Sequence, residues 1–473
     1  MIREICISKA REENIVFTLE EGCCLSDTQG AIRHLVIGSI WKRDKDVLQF
    51  MLDLSHIRSL TVFGEWRSFF ISDNMRFLRV LDLEDTLGLK DHHLDKIGQL
   101  HHLKYLSLRG CRNILRLPNS LWNLRHLETL DIRGTRIYKL PAPMTNLQRL
   151  QHFFADDSWR HGSFKGEDDI VHKYERYTSH ISICQTCSIC LSRCHRFLRP
   201  HVLNAGLNMY DIFNICRSVK LFSGVLLPRG IGKLKTLRTL GYVNVCRSNG
   251  NATLKELGEL TQLRKLKVGG VSYKNRNEVW SAISGHNQLQ SLSVQAHGVV
   301  DNEFELDSCL CEGLLPPSSL ESLSLCGKLV NITGWIHKLQ NLSKLVLSYS
   351  GLEQEGAIQA IGFLPNLTVL RLRFKSFTGT KLHFQSSSFS SLMVLELQRL
   401  SEIETVLFEE GTMPKLELLQ ASWFTKPNDI SGLAALTSLK EIQLLRYGLD
   451  GRVKEEVERQ VAEHMKHVRL NLF

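Results

Sequence analysis

Leu78-Arg79-Val80-Leu81-Asp82-Leu83 returns as Leu103-Lys104-Tyr105-Leu106-Ser107-Leu108 and again as Leu127-Glu128-Thr129-Leu130-Asp131-Ile132. The first leucines of successive phrases lie 25 and 24 residues apart. Within Leu81-x-Leu83 the apolar residues alternate, so one face of a short strand points inwards and the other to solvent. The spacing of three from Leu78 to Leu81 tucks a further leucine under the strand. One such unit cannot bury its apolar edge alone; stacked units can, with their strands paired in parallel.

A period in the twenties with this internal pattern predicts an α/β fold, a leucine-rich repeat solenoid shaped as a horseshoe. Its concave side is a parallel sheet, and its convex side is irregular or short-helical. The second half of each repeat supports this. Leu117-Pro118-x-x-Leu121-x-x-Leu124 leads into Leu127, Leu140-Pro141-x-x-Met144-x-x-Leu147 into Leu150, and Leu227-Pro228-x-x-Ile231-x-x-Leu234 into Leu237. Proline lacks a backbone donor and fixes φ, so it closes the strand side and starts the convex side. Apolar residues three apart then suit a helical turn under the sheet. Eight positions after the first leucine stand Thr86, Cys111 and Thr135, whose side chains can satisfy backbone groups in the bend. Ser350 keeps this rule, whereas Val271, Lys328 and Lys375 break it.

Repeat starts are expected at Ile32, Ile57, Leu78, Leu103, Leu127, Leu150, Leu237, Leu263, Leu289, Leu320, Leu342, Leu367, Leu392, Leu416 and Leu439, with a last strand at Val468-x-Leu470-x-Leu472. The chain divides accordingly: a lead-in helix and linker over 1–30, regular repeats over 31–155, an interrupted stretch over 156–226, and less regular repeats over 227–473. In the 87-residue gap from Leu150 to Leu237, Asp156 to Glu175 reads as an exposed loop and residues 180–222 as ordered, with one degenerate repeat at Phe213-x-x-Cys216-x-Ser218.

Composition narrows the function. No apolar run approaches the roughly 18 residues of a membrane span. The start, Met1-Ile2-Arg3-Glu4-Ile5, is charged and unlike a signal peptide. Thirteen scattered cysteines fit a reducing compartment better than a disulfide framework. Asn341 and Asn366 open glycosylation-type triplets but directly precede repeat leucines, which gives them a structural reading. The net charge is +10, and residues 190–240 hold nine Lys or Arg against the single acid Asp211. That density suits a solvated convex face or an acidic protein surface. Nucleic acid is disfavoured, because no zinc finger, RRM-like run or basic helix accompanies it.

The interrupted stretch also holds Cys184-x2-Cys187-x2-Cys190-x3-Cys194, followed by His195. An iron–sulfur run has similar spacing but ends on proline and comes with a second run. Zinc is the milder metal reading and ordinary thiols the plainest, so no metal site is assigned. No phosphate loop, His-Glu-x-x-His or Gly-x-Ser-x-Gly elbow occurs, so no catalytic or cofactor residue is assigned and no enzyme is expected.

Function is then expected on the strand residues that face out. These include Val80, Asp82 and Glu84; Tyr105, Ser107 and Arg109; Thr129, Asp131 and Arg133; and, further on, Ser291, Ser293, Val369, Glu396 and Gln398. The candidate partner-binding set is Tyr105, Arg109 and Arg133, an aromatic–arginine cluster of the kind that dominates hot spots, with Lys265, Lys267, Arg371 and Arg373. Reversing Arg371 and Arg373 to glutamate is expected to weaken partner binding and leave folding intact.

On Leu78-Arg79-Val80-Leu81-Asp82-Leu83-Glu84, His102-Leu103-Lys104-Tyr105-Leu106, Leu117-Pro118-Asn119-Ser120-Leu121, Leu127 to Thr135 and Pro228 to Leu234, the chain resembles a known family. It is similar to the leucine-rich repeat region of plant intracellular disease-resistance proteins of the coiled-coil nucleotide-binding class, common in grasses. The stretch Met1 to Ala10 resembles the helix after the Met-His-Asp motif that closes that family's nucleotide-binding region. The motif, the phosphate loop and the coiled coil are missing from this sequence, so the resemblance implies a receptor truncated at its N-terminus, and nucleotide binding transfers to no residue. It further implies a cytoplasmic recognition module whose protein partner is a pathogen effector, a guarded host protein or the missing nucleotide-binding domain. The alternatives are a free-standing scaffold, adaptor or decoy of the same fold, and a metal- or redox-responsive protein using the Cys184–Cys194 run.

Overall fold

A computed structural model of the chain describes residues 16–19, 32–42, 45, 46, 48, 52–155, 224–246, 250–297, 305–310, 314–352, 355–398, 400, 402–422, 429–444, 451–464 and 468–472. All of these belong to one compact unit.

Every predicted repeat start is buried, and a strand opens two residues after each of them. In chain order the strands are β1 (Val16–Leu19), β2 (His34–Ile37), β3 (Ser59–Val62), β4 (Val80–Asp82), β5 (Tyr105–Ser107), β6 (Thr129–Asp131), β7 (His152–Phe154), β8 (Thr239–Asn244), β9 (Lys265–Val271) and β10 (Ser291–Ala296). There follow β11 (Ser322–Cys326), β12 (Lys344–Ser348), β13 (Val369–Arg373), β14 (Lys381–Phe384), β15 (Val394–Gln398), β16 (Thr405–Phe408), β17 (Leu418–Ser422), β18 (Asp429–Ser431), β19 (Glu441–Leu444) and β20 (Arg469–Leu472). All but β14, β16 and β18 form one parallel sheet of 17 strands, each paired with its neighbours in the chain's own order. This is the leucine-rich repeat solenoid that the phrase predicts.

Leu81, Leu106 and Leu130 face one another in register and are fully buried. Burying each leucine contributes about 1.5–3 kcal/mol. Behind the sheet, Pro118 and Pro141 stand extended and open short 3-10 turns at Asn119–Asn123 and Ala142–Asn146. Leu121 and Met144 plug these turns into the core. Later repeats add helices α1 (Gly250–Gly258), α2 (Arg276–Ser284), α3 (Ile332–Trp335), α4 (Glu355–Gly362) and α5 (Gly451–His464), while 3-10 turns persist at Ile231–Lys233, Ile336–Lys338 and Leu433–Ala435.

The bend after each strand follows the same frame. Seven positions beyond each first apolar residue, φ turns positive at Gly64, Asp85, Gly110, Gly134, Gly270 and Gly327. A Cβ on Gly134 would stand 2.9 Å from the backbone nitrogen of Gly110, so the repeats stack too closely there for a side chain. One position on, the expected sealing residues do their work. Thr86 Oγ1 donates to the Val62 carbonyl at 3.1 Å, Cys111 Sγ to that of Leu83 at 3.0 Å, and Thr135 Oγ1 to that of Ile132 at 2.7 Å. Asn341 and Asn366 also serve the stack: their amides donate to the carbonyls of Ser318 and Gln340 in the preceding repeats.

Four features depart from the reading of the sequence. Val16–Leu19, within the stretch read as helix and linker, is a strand paired in register with β2. Its Leu19 is fully buried, but no leucine frame precedes it to betray the repeat. β7 pairs directly with β8, His152 opposite Thr239, which leaves no strand position between them in this sheet. The proposed repeat at 213–218 and the remainder of 157–222 lie outside the described residues, as do residues 1–15. Val225 and Leu226, assigned to the interrupted stretch, bridge to Val243 and Lys139 and so belong to the regular body. Finally, the convex side is not everywhere irregular or helical. β14, β16 and β18 form a second parallel sheet, cored by Leu382, Phe384, Val406, Phe408 and Ile430. Alternation in Leu382-His383-Phe384 carried that signal in the sequence, whereas Val406-Leu407-Phe408 is a continuous apolar run.

Candidate functional site

Parallel register turns the repeat into rows on the solvent side of the sheet. One row runs Val80, Tyr105, Thr129, His152, Thr239, Lys265, Ser291, Ser322, Lys344, Val369, with neighbours one strand spacing apart, about 4.8 Å.

The structure brings Tyr105, Arg109 and Arg133 onto the neighbouring strands β5 and β6. Tyr105 is half-buried, and burial, followed by the charge of Asp82, pushes its phenol above the ordinary range. It therefore stays a neutral donor. Arg109 Nη1 lies 3.2 Å from Glu84 Oε1. Arg133 Nε contacts both oxygens of Asp131 at 3.0 Å, and its guanidinium carbon sits 5.0 Å from the centre of the Phe154 ring. Both arginines are thus oriented by their own strands or neighbours.

Asp82, Ser107 and Asp131 do not simply face a partner. Each side chain accepts the backbone N–H two residues on, from Glu84, Arg109 and Arg133 respectively. Ser107 and Asp131 are buried in doing so.

Further along, Lys265 and Lys267 are exposed, and Lys267 Nζ stands 5.7 Å from the centre of the Tyr242 ring. Arg373 grips Glu396 of the next strand with two hydrogen bonds, at 2.6 and 2.8 Å. Arg371 Nε lies 3.1 Å from the same carboxylate, without hydrogen-bond alignment. Glu396 is only 8% exposed. Reversing both arginines would set three carboxylates together, so that double change is expected to disturb folding as well as binding.

Three further features of this surface escaped the reading of the sequence. Lys344 belongs to the same face; burial, then Arg371 and Arg373, lower its pKa. Tyr349 and Phe374 occupy the glycine slot of the bend with φ of 52° and 43°, and their rings stack at 5.6 Å. Bulky residues in this region are strained, and such strain concentrates at functional surfaces. The frame itself carried this signal, since the seventh position is otherwise glycine or aspartate in the repeats named above.

The third feature is the edge where the strands begin. The residue after each first apolar residue is Arg33, Arg58, Arg79 and Lys104, all exposed. The backbone N–H groups of Arg58, Arg79 and Lys104 donate to the carbonyls of Arg33, Arg58 and Arg79, so these cations stand side by side. Among the described residues only Lys104 of the four has an ion-pair partner, Glu128 at 2.7 Å. Beside them His102 stacks between Phe77 and His126, at 6.4 and 6.1 Å.

Of the basic stretch at 190–240, Arg229, Lys233, Lys235 and Arg238 are described, and Lys235 pairs with Glu259 at 3.2 Å. The Cys184–Cys194 run lies outside the described residues. Cys111 is enclosed, and burial pushes its thiol up to about 12, far from a reactive thiolate. No helix among the described residues is long and apolar enough to cross a membrane.

Comparison with known proteins places the chain in a family. Residues 56–165 and 215–471 match the model of a leucine-rich repeat region, and the chain belongs to that family. Its relatives are plant disease resistance proteins. It is 25% identical over 465 residues to the disease resistance protein Pik-2 of Oryza sativa subsp. japonica, covering 94% of this chain and 42% of that protein. It is 28% identical over 250 residues to the disease resistance protein RPM1 of Arabidopsis thaliana, covering 52% of this chain and 26% of that protein. The chain thus spans less than half the length of these relatives. Among solved structures it is similar to an internalin, InlF, of Listeria monocytogenes, with a TM-score of 0.43 and 14% identity over 80% of this chain and 82% of that one.

Proposed function

We propose that the chain is the protein-recognition module of an intracellular plant immune receptor acting in the cytoplasm. It senses an effector or a guarded host protein through the solvent face of its sheet and performs no chemistry of its own. The observation that carries this reading is similarity to disease resistance proteins along 94% of the chain but only 42% of the relative, which fits a recognition portion of a longer receptor. The preset side chains Tyr105, Arg109 and Arg133 support it, because orientation before contact reduces the entropy lost on binding.

A second element is restraint. The basic edge formed by Arg33, Arg58, Arg79 and Lys104 suits an acidic surface on a nucleotide-binding region, held against the first repeats in the resting receptor. Mapping the 5′ end of the transcript tests the reading first: an upstream frame encoding a nucleotide-binding region is the expected result, and its absence favours a free-standing scaffold or decoy. Within a full-length receptor, changing Arg33, Arg58 and Arg79 to glutamate is expected to trigger leaf cell death without pathogen. A silent, normally abundant variant would remove the restraint from the proposal.

A further inference from the structure

Between β9 and β12 the sheet face changes character. Lys265 and Lys267 project from β9 and Lys344 from β12. The two strands between them, β10 and β11, carry only serines at these levels, with Ser293 opposite both Lys267 and Ser324, and Ser322 opposite Lys344. Short side chains between long ones make a trough with a hydroxyl floor and cationic walls. Three strand spacings set the walls about 14 Å apart. Among the described residues the hydroxyls of Ser322 and Ser324 have no hydrogen-bond partner, and no carboxylate pairs with Lys265, Lys267 or Lys344. Glu321, beside Ser322, takes a hydrogen bond from the Gln290 amide, and Glu396 is already held by Arg371 and Arg373. Lys344 feels Arg371, Arg373 and, across the trough, Lys267 as repelling charges, against the attraction of Glu396. An incoming anion relieves all three repulsions.

We propose that this trough docks an extended acidic peptide segment of a protein partner, lying across β9 to β12 with carboxylates recurring at every fourth residue. The spacing follows from the walls: four residues of extended chain span about 14 Å, so one carboxylate meets Lys265 or Lys267 while the next meets Lys344. The serine hydroxyls between them can donate to the carboxylates or to the peptide's carbonyls. The proposal rests on reading the sheet face as a recognition surface and names what that face takes.

Fluorescence anisotropy on the full chain tests it, with a labelled Ser/Thr peptide carrying two Asp-Asp pairs four residues apart. An isomer with the four Asp contiguous, and an oligouridylate of equal charge, serve as competitors. The spaced peptide is expected to bind at least about fivefold more tightly than either. Lys265→Glu with Lys344→Glu is expected to lower its affinity about tenfold or more, with an unchanged melting curve. Ser322→Asp with Ser324→Asp, which neutralises the trough from its floor, should do the same, while Lys255→Glu on the exposed side of α1 changes nothing. Equal binding of the contiguous isomer or of the oligouridylate, absence of binding by the wild-type chain, or indifference to both double variants overturns the proposal. Binding by the wild-type chain that depends on the trough upholds it even if transcript mapping rejects the receptor reading.

Discussion

The repeats up to β7 and those from β8 onward share one leucine frame but solve the same problem differently. A sharp bend after every strand leaves backbone groups turned inwards, where each must find a partner. The early repeats use a small hydroxyl or thiol at the eighth position: Thr86, Cys111, Thr135. Among the later ones Ser350 keeps that position, but others use larger buried polar groups further from the strand. Asn275 donates to the carbonyls of Val245 and Gly270 and accepts from Ser272 N. Asp307, wholly buried, accepts from the backbone of Val330 and Asn331 and from the Trp335 indole. Asp91, at the start of a 3-10 turn, accepts from the backbone of Leu115 and Arg116 in the next repeat, so the early half carries such a group as well, but half-buried where Asp307 is wholly buried.

Removing the largest anchor should separate the two halves most clearly. Asp307→Ala removes the acceptor of three donors, of which the Trp335 indole is buried, and is expected to cost about 2–4 kcal/mol, read as loss of amide protection over residues 305–335 in hydrogen exchange. Protection there equal to wild type would show that the later repeats do not depend on such anchors. Thr135→Val in the early half removes one buried hydrogen bond and should cost about 1–2 kcal/mol in urea unfolding. A cost matching that of Asp307→Ala would erase the distinction.

Acid probes the same contrast. His286 is 2% exposed, and burial lowers its pKa, opposed by a hydrogen bond with the Leu257 backbone. The unfolded chain then binds a proton that the folded chain resists. His286 therefore contributes stability in full above its ordinary pKa near 6.5, and this is lost as pH falls towards the lowered folded value. Hydrogen exchange at pH 7.5 and pH 5.5 should show β10 loosening on acidification, and His286→Gln should flatten that response. The smallest effect is expected from Lys104→Ala, which breaks an exposed pair with Glu128 and should shift stability by less than about 1 kcal/mol. A larger loss in thermal melts would mean that the basic edge helps to hold the fold.

Much of the scaffold was legible. The frame from Ile32 to Leu439 located the strands because burial and alternation are written directly in residue type and spacing. The bend, too, could be read where Gly110 and Gly134 recur. Less visible were β1, which lacks a leading leucine, and the second sheet of β14, β16 and β18, whose apolar residues lie outside the leucine phrase. Asn275 and Asp307 gave no signal at all, since their partners come from other segments of the chain.

The sequence by itself determined the period, the inward face and the class of fold, because these depend on local patterns repeated many times. Tertiary structure alone decided which outward residues remain available to a partner. Arg371, Arg373, Lys265 and Lys267 look equivalent in the chain. Stacking gives the arginines Glu396 as a neighbour one strand away, and gives the lysines a floor of serines. Register sets charge against charge across about 5 Å, and that juxtaposition exists only once distant repeats lie side by side.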